Sequence, residues 1–185
     1  MTGTSTSDIG AYFYPEVGDE VVLGFLNDDP RFAIIIGSLY SSKMKAPYTP
    51  DSENKVKGFV TKSEMKLTFE EDNKNIIIET PGGNKVTISD ENKSITLEDQ
   101  NSNKVSLSDS GITLDSPKDV QISAKGNFTV DATQGVTIKS TGDAALQGNN
   151  VNLKANIALS AQGSASASLQ ASGQVEVKGA MVMIN

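Results

Sequence analysis

A chain of 185 residues with 37% hydrophobic residues, 5% aromatics and no tryptophan can hold one or two domains but is poor material for a large globular core. It has neither cysteine nor histidine, which excludes disulfides, Ser-His-Asp and Cys-His catalysis and the usual zinc ligand sets. Its net charge of −7 is unevenly placed, with six acids and three bases in residues 1–50, thirteen and eight in 51–116, and four and five in 117–185, and without a basic stripe it disfavours nucleic acid as a partner.

Residues 1–10 are rich in Ser, Thr and Gly and read as a flexible N-terminus. Met1–Ser7 lacks the apolar centre of a signal peptide, and no apolar run approaches the ~20 residues of a membrane-spanning helix. Two β runs follow, Glu20–Leu26 and Phe32–Gly37, joined by the turn signal Asn27-Asp28-Asp29-Pro30. They predict a hairpin of a small barrel within residues 11–42. Residues 43–57 carry prolines and charges without periodicity and read as a linker. Longer strands are expected over 58–84, with Pro81-Gly82-Gly83 as a turn.

From there on the chain repeats. Apolar side chains recur two apart, which places both on one face of a strand. The pairs run Val86/Ile88, Ile95/Leu97, Val105/Leu107, Ile112/Leu114, Val120/Ile122, Phe128/Val130, Val136/Ile138 and Ala144/Leu146. They continue as Val151/Leu153, Ile157/Leu159, Ala167/Leu169, Val175/Val177 and Val182/Ile184. From Ile112 to Leu146 the period is eight residues without exception. Looser pairs precede them at Leu67/Phe69 and Ile76/Ile78.

So short a period predicts a β-solenoid in which each turn touches only its neighbours. Two core residues on a strand of about three would leave a single chain with a very thin core, whereas three chains around one axis pool their apolar residues. A parallel homotrimer is therefore expected over residues 85–185. Its core is Val86, Ile88, Ile95, Leu97, Val105, Leu107, Ile112, Leu114, Val120, Ile122, Phe128, Val130, Val136, Ile138, Leu146, Val151, Leu153, Ile157, Leu159, Leu169, Val175 and Val177. At ~4.8 Å per strand step the rod would be roughly 60 Å long. Between Ala155 and Ala171 Ala and Ser dominate, so the rod is expected to narrow. Gly111, Gly126, Gly135, Gly142 and Gly148 fall near corners and are expected to supply left-handed turns. In the last segment, Ala180, Met181, Val182, Met183, Ile184 and Asn185, one alternate pair is expected to close the core and the other to face a partner at the tip.

The residues Tyr14-Pro15-Glu16-Val17-Gly18-Asp19-Glu20-Val21-Val22-Leu23-Gly24-Phe25, with Asp29-Pro30-Arg31-Phe32 and Ile36-Gly37-Ser38-Leu39-Tyr40, resemble the OB domain of VgrG proteins. These are the spikes of type VI secretion systems, related to the central spikes of contractile-tail phage baseplates. Gly58–Ser63, Leu67–Asp72, Ile76–Asn84 and Lys178–Asn185 resemble that family's passage into its needle and its tip. The resemblance implies an all-β chain, a partial OB-fold hairpin region followed by an intertwined triple-stranded β-helix in a parallel trimer. It implies a membrane-puncturing spike that meets the target membrane transiently and carries a PAAR-like tip protein or effector on its C-terminal end. Assembly is then expected in the cytoplasm of a bacterium or in a phage-like particle, with delivery out of the cell when the tail contracts. The family's N-terminal hub, which docks the tail tube, and its first OB strands have no counterpart in these residues, nor has an effector segment or the His-x-His iron site of some phage spikes.

No enzyme and no cofactor is expected. Glu70/Glu71/Asp72 and Asp90/Glu91 read as solvated corners, since a rod of short strands offers no cleft to set two carboxylates across a substrate. Asp72-Asn73-Lys74-Asn75 reads as a turn, lacking the glycine and closing glutamate of a calcium loop. The alternative reading is a trimeric fibre or adhesin shaft with a receptor-binding role.

Overall fold

The computed structural model describes residues 13–184. The N-terminus expected to be flexible, residues 1–10, and Asn185 of the tip segment lie outside the described residues. The chain divides into two units at Lys125/Gly126, and each is described by itself.

The first unit begins with the expected hairpin. Strands β1 (Glu20–Phe25) and β2 (Ala33–Leu39) pair antiparallel, Glu20 opposite Leu39 and Phe25 opposite Ala33, with a bulge between Val22 and Leu23. A single 3-10 turn, Leu26–Asp28, joins them, with Asn27 and Asp28 at φ 54° and 57°. Asn and Asp tolerate this left-handed conformation better than other side chains, which is why the turn falls on this pair. The Asp29 carboxylate closes the loop by accepting from the Arg31 backbone N–H at 3.0 Å and from its guanidinium at 2.7–3.1 Å. Ile34 and Ile36 fold over Gly24, where a Cβ would lie 2.8 Å from the Ile36 Cδ1.

Residues 40–55 form no strand, yet they are tied down. The Tyr48 hydroxyl lies 2.8 Å from the Thr68 hydroxyl, and its ring passes over Gly58, where a Cβ would sit 2.5 Å from the Leu67 carbonyl oxygen and 3.0 Å from the Tyr48 hydroxyl. Only glycine leaves room for that crossing.

Seven five-residue strands follow, β3 (Val56–Val60), β4 (Lys66–Glu70), β5 (Asn75–Glu79), β6 (Lys85–Ser89), β7 (Ser94–Glu98), β8 (Lys104–Ser108) and β9 (Gly111–Asp115). Each pairs antiparallel with the next, so the sheet is a meander in chain order. The sheet does not change character at residue 85, where three-residue strands were expected to begin. Turns rather than solenoid corners separate the pairs as far as Leu114, because each connection is closed by a reversal. Lys74, Lys93 and Ser102 take φ of 49°, 47° and 67°, and Gly83 and Gly111 take 92° and 113°. Asp72-Asn73-Lys74 and Pro81-Gly82-Gly83 are indeed turns. Of the glycines expected to be left-handed, Gly111 is, while Gly126, Gly135, Gly142 and Gly148 are not.

The second unit has a different organisation. Among its described residues no strand is formed, and the chain runs in extended segments separated by bends. Beginning before the unit boundary, these bends stand at 117–118, 125–126, 133–134, 141–142, 149, 156–157, 164–165, 172–173 and 180. The period of eight read from the side chains is thus also the period of the backbone, save for one step of seven from 149 to 156.

Candidate trimer interface

The meander places its apolar pairs with no register error. Leu67, Ile78, Val86, Leu97, Val105 and Leu114 stand directly opposite one another across β4 to β9, and so do Phe69, Ile76, Ile88, Ile95, Leu107 and Ile112. Because side chains alternate across a strand, both columns lie on one face. The other face carries Thr68, Ile77, Thr87, Thr96, Ser106 and Thr113 in its middle row. Beside it runs a row of alternating sign, Lys66, Glu79, Lys85, Glu98, Lys104 and Asp115. One face is built for solvent and the other is not.

The apolar face is bare in the single chain. Among the described residues no hydrophobic side chain is fully buried, and Ile78, Leu97, Ile112 and Leu114 are exposed by 51%, 45%, 76% and 60%. An open groove of about 360 Å³ runs over Ile78, Val86, Leu97, Val105 and Leu114. The chain's accessible surface, 17578 Å², is about twice the ~8,500 Å² expected of a compact monomer of its mass. Each large aliphatic side chain, once covered, contributes about 1.5–3 kcal/mol, so a two-column face left open forfeits most of what could stabilise the sheet.

Of the expected core, Val86, Ile88, Ile95, Leu97, Val105, Leu107, Ile112 and Leu114 are brought together on this face. Leu67, Phe69, Ile76 and Ile78 share it, although the expected core began only at Val86; their two-apart spacing was the signal. Phe59 of β3 stands opposite Leu67 and stacks on Phe13 with ring centroids 5.5 Å apart. The remaining expected residues, from Val120 to Val177, lie between bends except Ile157, which is on one, and all of them are exposed in the single chain. So are Met181, Val182, Met183 and Ile184 of the expected tip.

Polar groups hold the sheet's turns. Asp99 accepts from the backbone N–H groups of Asn101 and Asn103 at 2.8 and 2.9 Å and from their side-chain amides at 3.1 and 2.9 Å. These donors, Asn103 foremost, lower its pKa to about 2. Neighbouring turns are tied in series. The Gln100 N–H donates to the Asn84 side-chain oxygen at 3.3 Å, and the Ser116 hydroxyl donates to that of Asn103 at 2.6 Å, which leads the chain out of the sheet towards its first bend. Of the expected acidic corners, Glu71, Asp72, Asp90 and Glu91 are exposed, Glu71 paired with Lys57 at 2.6 Å and Asp72 with Lys55 at 3.0 Å, whereas Glu70 ends strand β4 half-buried and accepts from the Asn75 side-chain amide at 2.8 Å. At such exposure each pair contributes about 0–1 kcal/mol.

Two family models match the chain. Residues 1–40 match the type VI secretion system/phage-baseplate injector OB domain, and residues 75–133 match the phage baseplate V C-terminal trimerisation domain. No curated protein matches the chain. The trimerisation match spans β5 to β9 and runs on through the first bends, which is where the uncovered apolar face passes into the eight-residue repeat. A trimerisation domain supports a homotrimer as the assembly of this chain. With an injector OB domain ahead of a trimerisation domain, the chain belongs to the VgrG and phage-baseplate spike family, as a structural component of an injector.

Proposed function

We propose that the chain is the needle-bearing part of a membrane-puncturing spike, driven outward when a contractile tail shortens. The observation that carries this reading is the pairing of two features in one chain, an apolar sheet face without cover and a bend every eight residues beyond it. Three chains side by side would cover the faces with one another. Beyond residue 116 their extended segments would alternate around one axis as a triple-stranded β-helix, each taking backbone hydrogen bonds from its neighbours. Continuous pairing without long loops makes a stiff object, and stiffness is what concentrating a contraction force on a small area requires. Such a spike does its work mechanically, without a catalytic site or cofactor.

On this reading the spike assembles in the cytoplasm of a bacterium or in a phage-like particle, joined through its OB end to a hub and tail tube. The Met181–Ile184 segment holds a PAAR-like tip protein or an effector, and contact with the target membrane is brief. Val136→Asp tests the assembly step. Three carboxylates gathered on one axis without partners would block the trimer, and an undisturbed trimer of this variant would contradict the proposal.

A further inference from the structure

The repeat contains one irregular step. Bends begin at 117, 125, 133, 141 and 149, eight apart, but the next begins at 156, after seven residues, and eights then resume at 164, 172 and 180. Side chains shift with the backbone. The apolar pairs stand three and five residues after the bend begins in Val120/Ile122, Phe128/Val130 and Val136/Ile138. In the turn that begins at 149 the pair Val151/Leu153 stands two and four residues on, one residue early, and from the bend at 156 the places three and five hold Leu159/Ala161, Ala167/Leu169 and Val175/Val177. What is shorter is a corner: four residues, Gln147 to Asn150, separate Leu146 from Val151, where five separate Ile138 from Ala144. The short corner folds back on itself in ordinary contact, a Cβ on Gly148 lying 3.4 Å from the Asn150 carbonyl oxygen and 3.9 Å from the Val151 Cγ2, whereas nothing lies within 4 Å of one on Gly126, Gly135 or Gly142.

A slip of one residue within a strand would turn its whole side-chain set to the other face. Removing the residue at a corner avoids that, provided the segments beyond it count from the new bend. We infer that Gln147–Asn150 is a re-phasing corner that decides which distal side chains enter the interface between copies of this chain. Leu159, Ala161, Ala167, Leu169 and Met183 face the partner chains, and Ile157 and Ile184 face outward. The inference rests on the trimeric needle proposed above. It revises the pairing of Ile157 with Leu159 and of Val182 with Ile184 expected from spacing alone.

Two further observations favour this phase. Ile157 sits on a bend and is fully exposed, whereas Val120, Leu159 and Val175, three residues after a bend begins, are 54%, 67% and 46% exposed in the same single chain. Ile184 occupies the place between the two apolar positions, which in other turns holds Gln121, Thr129, Thr137, Ala145, Asn152, Ser160, Ser168 or Glu176. The last turn therefore differs from the rest in presenting a large apolar side chain on its outer side.

The test uses the full chain with Ile157→Asp, Leu159→Asp and Val136→Asp, reading assembly by light scattering and the lifetime of the segment beyond residue 150 under limited proteolysis. The expected result is that Leu159→Asp shortens that lifetime by at least about tenfold, as a buried unpaired carboxylate would, while Ile157→Asp changes it less than about twofold, as surface substitutions do. Equal damage from Ile157→Asp and Leu159→Asp, or none from Leu159→Asp, overturns the re-phasing corner while loss of the trimer in Val136→Asp leaves the needle standing. A trimer that survives Val136→Asp removes the needle and this inference together.

Discussion

Single residues set the turns of the sheet, and Asp99 is the most heavily used. Its carboxylate is held by four donors from Asn101 and Asn103, with its pKa lowered from 3.8 to about 2. A depressed carboxylate pKa contributes stability that is present above the unfolded value and lost as pH falls through the folded one. The turn should therefore loosen between about pH 4 and pH 2. The amide resonances of Asn101 and Asn103, followed across that range, are expected to titrate with a midpoint near the lower value and to lose the transition in Asp99→Asn. A midpoint near 4 would show that the four bonds do not act on Asp99 in solution. Little of this could be read in advance. Asp99-Gln100-Asn101 has the composition of any polar turn, and a lone tyrosine in an aperiodic linker does not announce that Tyr48 will cross Gly58 to reach Thr68.

Elements were legible to different depths. The hairpin was plain because β-branched runs flank Asn27-Asp28-Asp29-Pro30, and one face of the sheet was plain because pairs two apart can point only one way. What the pairs could not convey was connection. Val86 to Leu114 repeats at seven to ten residues, close enough to eight to pass for solenoid turns, but the short loops at Asp90–Lys93 and Asp99–Asn103 reverse the chain and make a meander. The charge row that results is a product of that reversal, since Glu98 meets Lys85 on one side and Lys104 on the other only in this register. Glu98→Lys sets three like charges in line, and the melting temperature should fall, by less in 1 M salt than in dilute buffer. An equal loss in both would mean the row is too far apart to interact. Corners beyond the sheet differ in the same concrete way. A Cβ at Gly163 would sit 2.1 Å from the Ser166 carbonyl oxygen, whereas nothing lies within 4 Å of one at Gly142. Gly163→Ala is expected to lower the melting temperature of the assembled protein and Gly142→Ala to leave it unchanged or slightly raised. Equal effects of the two would contradict the corner geometry described.

At the scale of the whole molecule, a chain with no fully buried hydrophobic side chain among its described residues cannot owe its stability to its own core. Two aliphatic columns, an eight-residue backbone period and a trimerisation-domain match all direct the missing cover to other copies. The need for three chains was legible from the count of core residues per strand. Where the chain stops pairing with itself was not, because the side-chain pattern passes Asp115 without a break while strand pairing within the chain ends there. Stability should then be inseparable from assembly, with unfolding that depends on protein concentration. The most direct test is the mass in solution by light scattering, taken on the sample whose mobility is also compared, unboiled and boiled, in SDS. A trimer gives three times the chain mass of 19.5 kDa and an unboiled band that keeps its trimeric mobility; a folded species at the mass of one chain would contradict trimeric assembly.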